Sequence, residues 1–445
     1  MTADRHALFT DLYELTMLQA YLEEGMEKEA VFSLFVRRLP QRRNYLLACG
    51  LETVLDYLEN LRFDDGDIAY LRSLGKFSDR FLAWLADFRF TGEVHAVPEG
   101  TVVYANEPIL EVIAPLPQAQ LVETFIMNQV HYQTMAASKA SRVITAARGR
   151  RVVDFGARRF HGTDAAIKAA RAFYIAGVAA TSNVEAGRRY GIPVAGTMAH
   201  SYIQAHEGEV AAFRAFARLY PDTVLLVDTY DTLAAVRKVI DLARESGDAF
   251  EVTGLRIDSG DLVALSREAR RLLDEAGLQH VELVASGNLD EDRVAALLEA
   301  DAPFDTFGVG TAMGVSNDAP SLDIAYKLTE YGKRGRVKLS ADKPVFPGRH
   351  QIYRMESDGY DVHDVIGRAQ ETLAGRPLLG PVMKGGKRLS DATPPLDRVR
   401  EHAREQVMRL PEHVRRLSPA EPPYPVQLSD ALTRYQHRVS RNFLP

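Results

Sequence analysis

From residue 151 onward, hydrophobic and polar positions repeat one phrase: a short apolar run, a loop rich in glycine and charge, then an amphipathic stretch at helical period. The apolar runs at 152–155, 193–195, 224–227, 254–257, 283–285 and 304–307 predict strands. Between them, 232–246 carries Leu233, Val236, Ile240 and Ala243 on one side and stops at Gly247. Residues 262–276 start at a Ser259 or Asp261 cap and stop at Gly277. Each such helix buries one face on a sheet. Strand and helix in alternation predict a parallel sheet or barrel, here an irregular (β/α) barrel over 151–345.

The pattern on either side differs. Thr10-Asp11-Leu12-Tyr13-Glu14-Leu15-Thr16-Met17-Leu18 reads as a helix capped by Thr10 or Asp11, with Leu12, Leu15 and Leu18 on one face. A strand at 30–36, a helix at 50–61 and two helical pieces within 66–90, broken near Gly75, follow. Segments 94–97 and 109–113 alternate as β, with turns at Pro98-Glu99-Gly100 and Glu107-Pro108. Residues 1–150 therefore predict an α+β domain with a small antiparallel sheet and a long helix, roughly 118–148, leading to the barrel. In 346–445 a strand at 351–355 and a charged surface helix at 396–410 stand out, with proline-rich connectors at 394–395 and 419–425. This segment is expected to pack back on the N-terminal domain. There is no internal repeat and no low-complexity tract.

Composition narrows the class. At 445 residues, two or more domains are expected. A hydrophobic content of 46%, a charged content of 26% and a net charge of -6 describe a soluble globular chain without a nucleic-acid footprint across its surface. Cys49 is the one cysteine, which excludes an intrachain disulfide and a cysteine-based metal cluster. The N-terminus lacks the blocks of a signal peptide, and no apolar run is long enough for a bilayer, so a cytoplasmic protein without membrane partners is expected.

Polar residues gather where the strand candidates end. After the first comes Asp154-Phe155-Gly156-Ala157-Arg158-Arg159-Phe160-His161-Gly162-Thr163-Asp164: glycine, paired arginines and a Thr163 or Asp164 cap suit an anion, or a solvated basic loop. After the second comes Gly196-Thr197-Met198-Ala199-His200-Ser201, at the start of a helical run; His200 there is a nucleophile, a phosphate contact, or a side chain bonded across a turn. Asp228-Thr229-Tyr230-Asp231-Thr232 and Asp258-Ser259-Gly260-Asp261 offer carboxylates to Mg²⁺ or ribose hydroxyls, with Asp231 and Asp261 read as helix caps. Ser286-Gly287-Asn288 and Gly308-Val309-Gly310-Thr311 let backbone N–H groups approach a phosphate. Together these describe a pocket for a phosphorylated sugar with Mg²⁺, ringed by Arg158, Asp228, Arg256, Asp258, Gly287 and Thr311. The run 224–229 loosely suggests the fingerprint of common phosphoribosyltransferases, but lacks its second acid and its loop.

Taken in order, the motif at 10–17, Asp154-Phe155-Gly156 with Arg158-Arg159, Gly177 with Thr181-Ser182-Asn183-Val184, the 196–201 motif, 226–232, 256–261 and 307–311 resemble the nicotinate phosphoribosyltransferase family from about residue 8 to about 355. The resemblance implies a type II phosphoribosyltransferase fold, an irregular α/β barrel with an α+β domain built from both chain ends. It implies synthesis of nicotinate mononucleotide and pyrophosphate from nicotinate and phosphoribosyl pyrophosphate, coupled to ATP hydrolysis, in NAD salvage. It implies a homodimer whose N-terminal segments reach the partner's barrel. His200 would be phosphorylated by ATP, with Asp258 catalytic and facing the ribose or its Mg²⁺. Tyr13, Thr197 and Arg256 would hold nicotinate. Arg158, Asn183, Ser259, Gly287, Asn288, Gly310 and Thr311 would hold the phosphoribosyl and pyrophosphate groups, and Asp228 and Asp258 are the Mg²⁺ candidates. Arg159 and His161 carry no assigned role, and Arg42 and Arg43 are expected to be solvated rather than to serve a partner's phosphate site. A nicotinamide-specific relative, a quinolinate-type enzyme and a non-catalytic nucleotide sensor are the competing readings. A barrel aldolase would need a lysine at a strand end, and none of the candidate strands ends in one.

Overall fold

The computed structural model describes residues 6–339 and 345–442. The chain forms two compact units, Met1–Ser138 with Ala319–Pro445, and Lys139–Asp318.

The second unit is built on six parallel strands in the order Ala180–Thr181, Arg151–Asp154, Thr306–Val309, Glu282–Ala285, Gly254–Ile257 and Val224–Leu226. No pairing among the described residues joins the two outer strands, so the curled sheet is an incomplete barrel. Its strands are short and nearly continuous in apolar character, as expected where helices cover the faces. The helices Thr232–Ser246 and Leu262–Glu275 start where expected, because Asp231 Oδ1 accepts from Ala234 N at 2.7 Å and Asp261 Oδ1 from Ala264 N at 3.0 Å. Within this unit, Glu291 is fully buried but ion-paired with Lys139 at 2.5 Å and Arg142 at 2.9 Å, which offsets its desolvation.

Several sequence expectations change here. Residues 193–195 form no strand. Pro193 has no N–H to donate, and Val194 makes a single parallel bridge to Thr181 while 53% exposed. The strand expected at 304–307 runs two residues later, as Thr306–Val309. The helix Thr163–Ala176 has Gly162 at its N-cap, and Asp164 pairs with Lys168 instead of capping.

The first unit holds a seven-stranded antiparallel sheet, larger than expected because both chain ends supply it. Ile324–Tyr331 pairs with Glu29–Val36, and Gly380–Lys384 pairs with Glu93–Ala96. Pro108–Pro115 lies between Glu29–Val36 and Glu93–Ala96. One apolar core beneath this sheet includes Leu18, Phe32, Leu34, Val54, Leu58, Val112, Tyr326 and Met383. His350–Ser357 and Tyr360–Arg368 form a second sheet with Arg376–Pro377 and Val426–Leu428. There Arg354 is fully buried and held by Asp364 at 2.6 Å and Gln406 at 3.1 Å. The long helix expected at 118–148 is two helices, Leu116–Leu121 and Glu123–Ala146. The first helix, Leu12–Glu23, has no side-chain cap, and Leu12 turns outward while Leu15 and Leu18 are buried. Among the described residues, no helix is long and apolar enough to cross a membrane.

Candidate active site at the ends of the parallel strands

A cleft of about 310 Å³ opens at the carboxyl ends of the parallel strands in the second unit. Phe155, Arg158, Arg159, Arg256, Asp258, Ser259, Ser286, Gly287, Asn288, Leu289, Gly308, Gly310 and Thr311 line it. In open α/β sheets this is where ligands bind, because loops there converge while the strands stay rigid.

Arg256 organises the cleft. Its Nε donates to Ser286 Oγ at 2.7 Å, one Nη to Thr197 Oγ1 at 2.9 Å, and the other Nη to Asp258 Oδ1 at 2.7 Å. Ser286 Oγ in turn donates to Asp258 Oδ1 at 2.6 Å, closing a triangle. The guanidinium lies 5.5 Å from the centre of the Phe155 ring. Arg256 therefore brings Thr197 to the site, but it is no free cation, since its fork is occupied by protein oxygens. Burial pushes the Asp258 carboxyl up, but the Ser286 hydroxyl, the Arg256 guanidinium and His200 outweigh it, and its pKa falls below the usual carboxylate range.

Asp228 stands behind this wall rather than in it. Its Oδ2 accepts from Asp258 N at 3.0 Å and Ser259 Oγ at 2.6 Å, while Oδ1 is buried without a hydrogen bond. Two glycines keep the cleft open. Gly287 adopts a φ of 90°, and a Cβ there would stand 1.8 Å from the Asp258 carbonyl oxygen. A Cβ on Gly308 would meet the Phe155 ring at 2.5 Å.

Arg158 and Arg159 lie on a 3-10 turn, Ala157–Arg159, and both are exposed. Arg159 reaches Thr311 Oγ1 at 3.4 Å, and Arg158 makes no hydrogen bond among the described residues. Buried Asp154 holds this turn, since its Oδ1 accepts from Gly156 N at 2.8 Å. Its Oδ2 accepts from Thr181 Oγ1 at 2.7 Å, and Thr181 Oγ1 accepts from Asn183 N at 3.1 Å. Burial raises the Asp154 pKa to about 6. Asn183 caps the helix Val184–Tyr190 through Oδ1 and does not line the cleft.

His200 begins the short helix His200–Gln204, half-buried, with Nδ1 3.1 Å from Thr229 Oγ1. It does not line the cleft. Tyr13 lies in the first unit, 48% exposed, and burial together with Glu123 and Glu14 raises its phenol pKa well above the ordinary value. Arg43, also there, is buried rather than solvated, and its guanidinium donates to the Arg42 carbonyl at 3.3 Å. Among the described residues, no group of three or more His, Cys, Asp or Glu side chains is arranged to hold a metal ion.

Comparison with known proteins settles the family. The nicotinate phosphoribosyltransferase N-terminal domain matches residues 8–131, the nicotinate phosphoribosyltransferase family domain residues 150–347, and the nicotinate phosphoribosyltransferase C-terminal domain residues 361–436. The chain belongs to the nicotinate phosphoribosyltransferase family. It is 56% identical over 426 residues to nicotinate phosphoribosyltransferase pncB2 of Mycobacterium tuberculosis, covering 96% of this chain and 92% of that one. It is 38% identical over 460 residues to the nicotinate phosphoribosyltransferase of Bacillus subtilis, covering 96% and 94%. The crystal structure of human nicotinic acid phosphoribosyltransferase superposes with a TM-score of 0.85 at 29% identity, covering 97% of this chain and 99% of that one. This member of the family is thus an enzyme of NAD biosynthesis. Sequence reasoning named Phe155, Ser286 and Thr229 within its motifs but gave their side chains no role. Phe155 and Ser286 sit beside residues already singled out, and Thr229 is a hydroxyl whose partner is 29 positions away in the chain.

Proposed function

We propose that the protein transfers the phosphoribosyl group of phosphoribosyl pyrophosphate to the ring nitrogen of nicotinate, releasing pyrophosphate and nicotinate mononucleotide, with ATP hydrolysis coupled through phosphorylated His200. The observation that carries this reading is the convergence, in one cleft, of the Arg256–Asp258 pair with the paired arginines and the Gly287–Asn288 and Gly310–Thr311 turns. The ring nitrogen attacks C1 of the ribose as pyrophosphate leaves, so positive charge develops on the sugar. Asp258, kept ionised by Arg256 and Ser286, stabilises that charge from a fixed position. Arg158, Arg159 and Thr311, with the backbone at 287–288 and 310, hold the phosphates, while Ser259 fixes the sugar and its phosphate. Thr197 borders the pyridine ring, and Tyr13 of the partner subunit would stack on its other side. Arg256 acts on nicotinate chiefly through its field, because each of its three nitrogens already donates to a protein oxygen.

The donor chemistry fits Mg²⁺ as a guest of the substrate. Asp258 lines the cleft and is the carboxylate that would hold the ion beside the substrate phosphates, whereas Asp228, behind the wall, would act on it through Asp258 and Ser259. The ion, when bound, neutralises pyrophosphate charge. We place the enzyme in the cytoplasm as a homodimer with shared active sites. Exposed Phe9, Leu12 and Tyr13 on the N-terminal segment would meet the partner.

The test is pyrophosphate release from phosphoribosyl pyrophosphate with nicotinate or nicotinamide, with and without ATP, for the wild type and His200→Ala. Turnover with nicotinate, raised by ATP only when His200 is present, is the expected result. Preference for nicotinamide overturns the substrate, and tight binding without turnover overturns the enzyme.

A further inference from the structure

Ser286 is buried, 3% exposed, and its hydroxyl sits between the two charged side chains of the cleft, Arg256 and Asp258. We propose that Ser286 is the positioning residue of Asp258: its hydroxyl ties down one carboxylate oxygen, Oδ1, so that the other, Oδ2, is the one presented to the ribose. This rests on the reading of Asp258 as the carboxylate that stabilises charge on the sugar.

The backbone brings the two residues together. The parallel strands Gly254–Ile257 and Glu282–Ala285 pair with Ala285 opposite Ile257, so Asp258 and Ser286 leave the sheet side by side. Ser286 N donates to the Ile257 carbonyl at 3.0 Å, which extends the ladder by one bond. Gly287 then passes so close that a Cβ there would stand 1.8 Å from the Asp258 carbonyl oxygen. Ser286 is therefore held against Asp258 by its own backbone and by that of its neighbour.

The direction of the hydroxyl follows from its two partners. Oγ stands 2.7 Å from Arg256 Nε and 2.6 Å from Asp258 Oδ1. A guanidinium only donates and an ionised carboxylate only accepts, so Oγ accepts from Arg256 and its proton points to Oδ1. An Arg256 Nη donates to the same oxygen at 2.7 Å. Two charge-assisted bonds thus converge on Oδ1, whereas Oδ2 makes no hydrogen bond among the described residues, and Asp258 lines the cleft. The Arg256 bond alone would leave the carboxylate to swing on one tether. The hydroxyl supplies a second tether from a different strand. An oxygen fixed in advance needs no reorganisation when positive charge grows on the sugar.

Steady-state kinetics of the full-length enzyme with nicotinate and phosphoribosyl pyrophosphate test this. The proteins are wild type, Ser286→Ala, Asp258→Ala and the double variant, with melting curves to establish that each is folded. Ser286→Ala is expected to lower kcat about tenfold while KM for either substrate moves by less than about threefold. In the Asp258→Ala background the same Ser286→Ala change is expected to cost less than about twofold, because the group it positions is gone. Wild-type kcat in Ser286→Ala, a loss confined to KM, or an equal loss with and without the Asp258 carboxylate overturns the role of Ser286 and leaves Asp258 in place. Near wild-type kcat in Asp258→Ala overturns the reading of Asp258 itself. Should Ser286→Ala melt below the assay temperature, Ser286→Cys, whose thiol is a weak donor, is read in its place by the same outcomes.

Discussion

Arg256 and Asp258 stand two residues apart in the chain and meet in a 2.7 Å ion pair across the mouth of the cleft. Arg256 lies in the strand Gly254–Ile257 and Asp258 is the first residue past its end, where extended backbone still turns residues two apart to the same side. Ser286, from the next strand, bridges the two side chains.

Because Arg256 makes three differently directed bonds, a point charge cannot replace it. Arg256→Lys is expected to keep the fold and lose about 10²-fold in kcat/KM, since Ser286, Thr197 and Asp258 lose their common anchor. Steady-state kinetics with nicotinate, alongside a melting curve, would check it. A loss of less than about threefold would remove Arg256 from the centre of the site.

Gly287→Ala is expected to close the cleft from behind. The new methyl would overlap the Asp258 carbonyl at a φ of 90°, so the turn must move. A destabilisation of roughly 2–3 kcal/mol in urea unfolding, with activity falling further than stability, is the expected result.

Asp154 links the arginine turn to the Thr181–Asn183 loop, and its pKa of about 6 puts its ionisation within reach. Protonation removes an acceptor, so KM for phosphoribosyl pyrophosphate should rise as pH falls through about 6. Asp154→Asn should show a KM about tenfold higher and lack that step, because an amide cannot accept from both Gly156 N and Thr181. Initial rates from pH 5 to 8 test both statements.

Glu14 is a pH probe of the first unit. Burial raises its carboxyl to about 7 from 4.5, even though Thr10 and Thr124 donate to it. The folded state therefore holds a proton that the unfolded chain has released. This contribution is complete below the unfolded value of 4.5 and is lost as pH rises through 7. Glu14→Gln should flatten the decline, leaving the variant about 1 kcal/mol more stable than wild type at pH 8. Equal stability of the two proteins at pH 8 would rule this out.

Much of the site was legible in local pattern. The helices Thr232–Ser246 and Leu262–Glu275, their aspartate caps and the loops carrying Arg158, Asp258, Gly287 and Thr311 follow from apolar period and punctuation. Each of those signals is completed within a few residues. Segment 193–195 was misread for the same reason, because an apolar run looks alike whether it pairs over several residues or over one.

The sequence by itself determined the alternation of strands and helices, the residue types at the strand ends and, through the joint order of its motifs, the family. Only the tertiary structure decided that Asp228 stands behind the cleft wall, that each Arg256 nitrogen has a protein partner, that Arg43 is buried and that Thr229 meets His200. It also decided that Ile324–Tyr331 pairs with Glu29–Val36, from Ala30 opposite Tyr331 to Val36 opposite Ile324. Local pattern reports how a residue suits its own element. Which distant side chain completes its hydrogen bonds, or shares its burial, depends on strand order and packing, and these are properties of the folded chain alone.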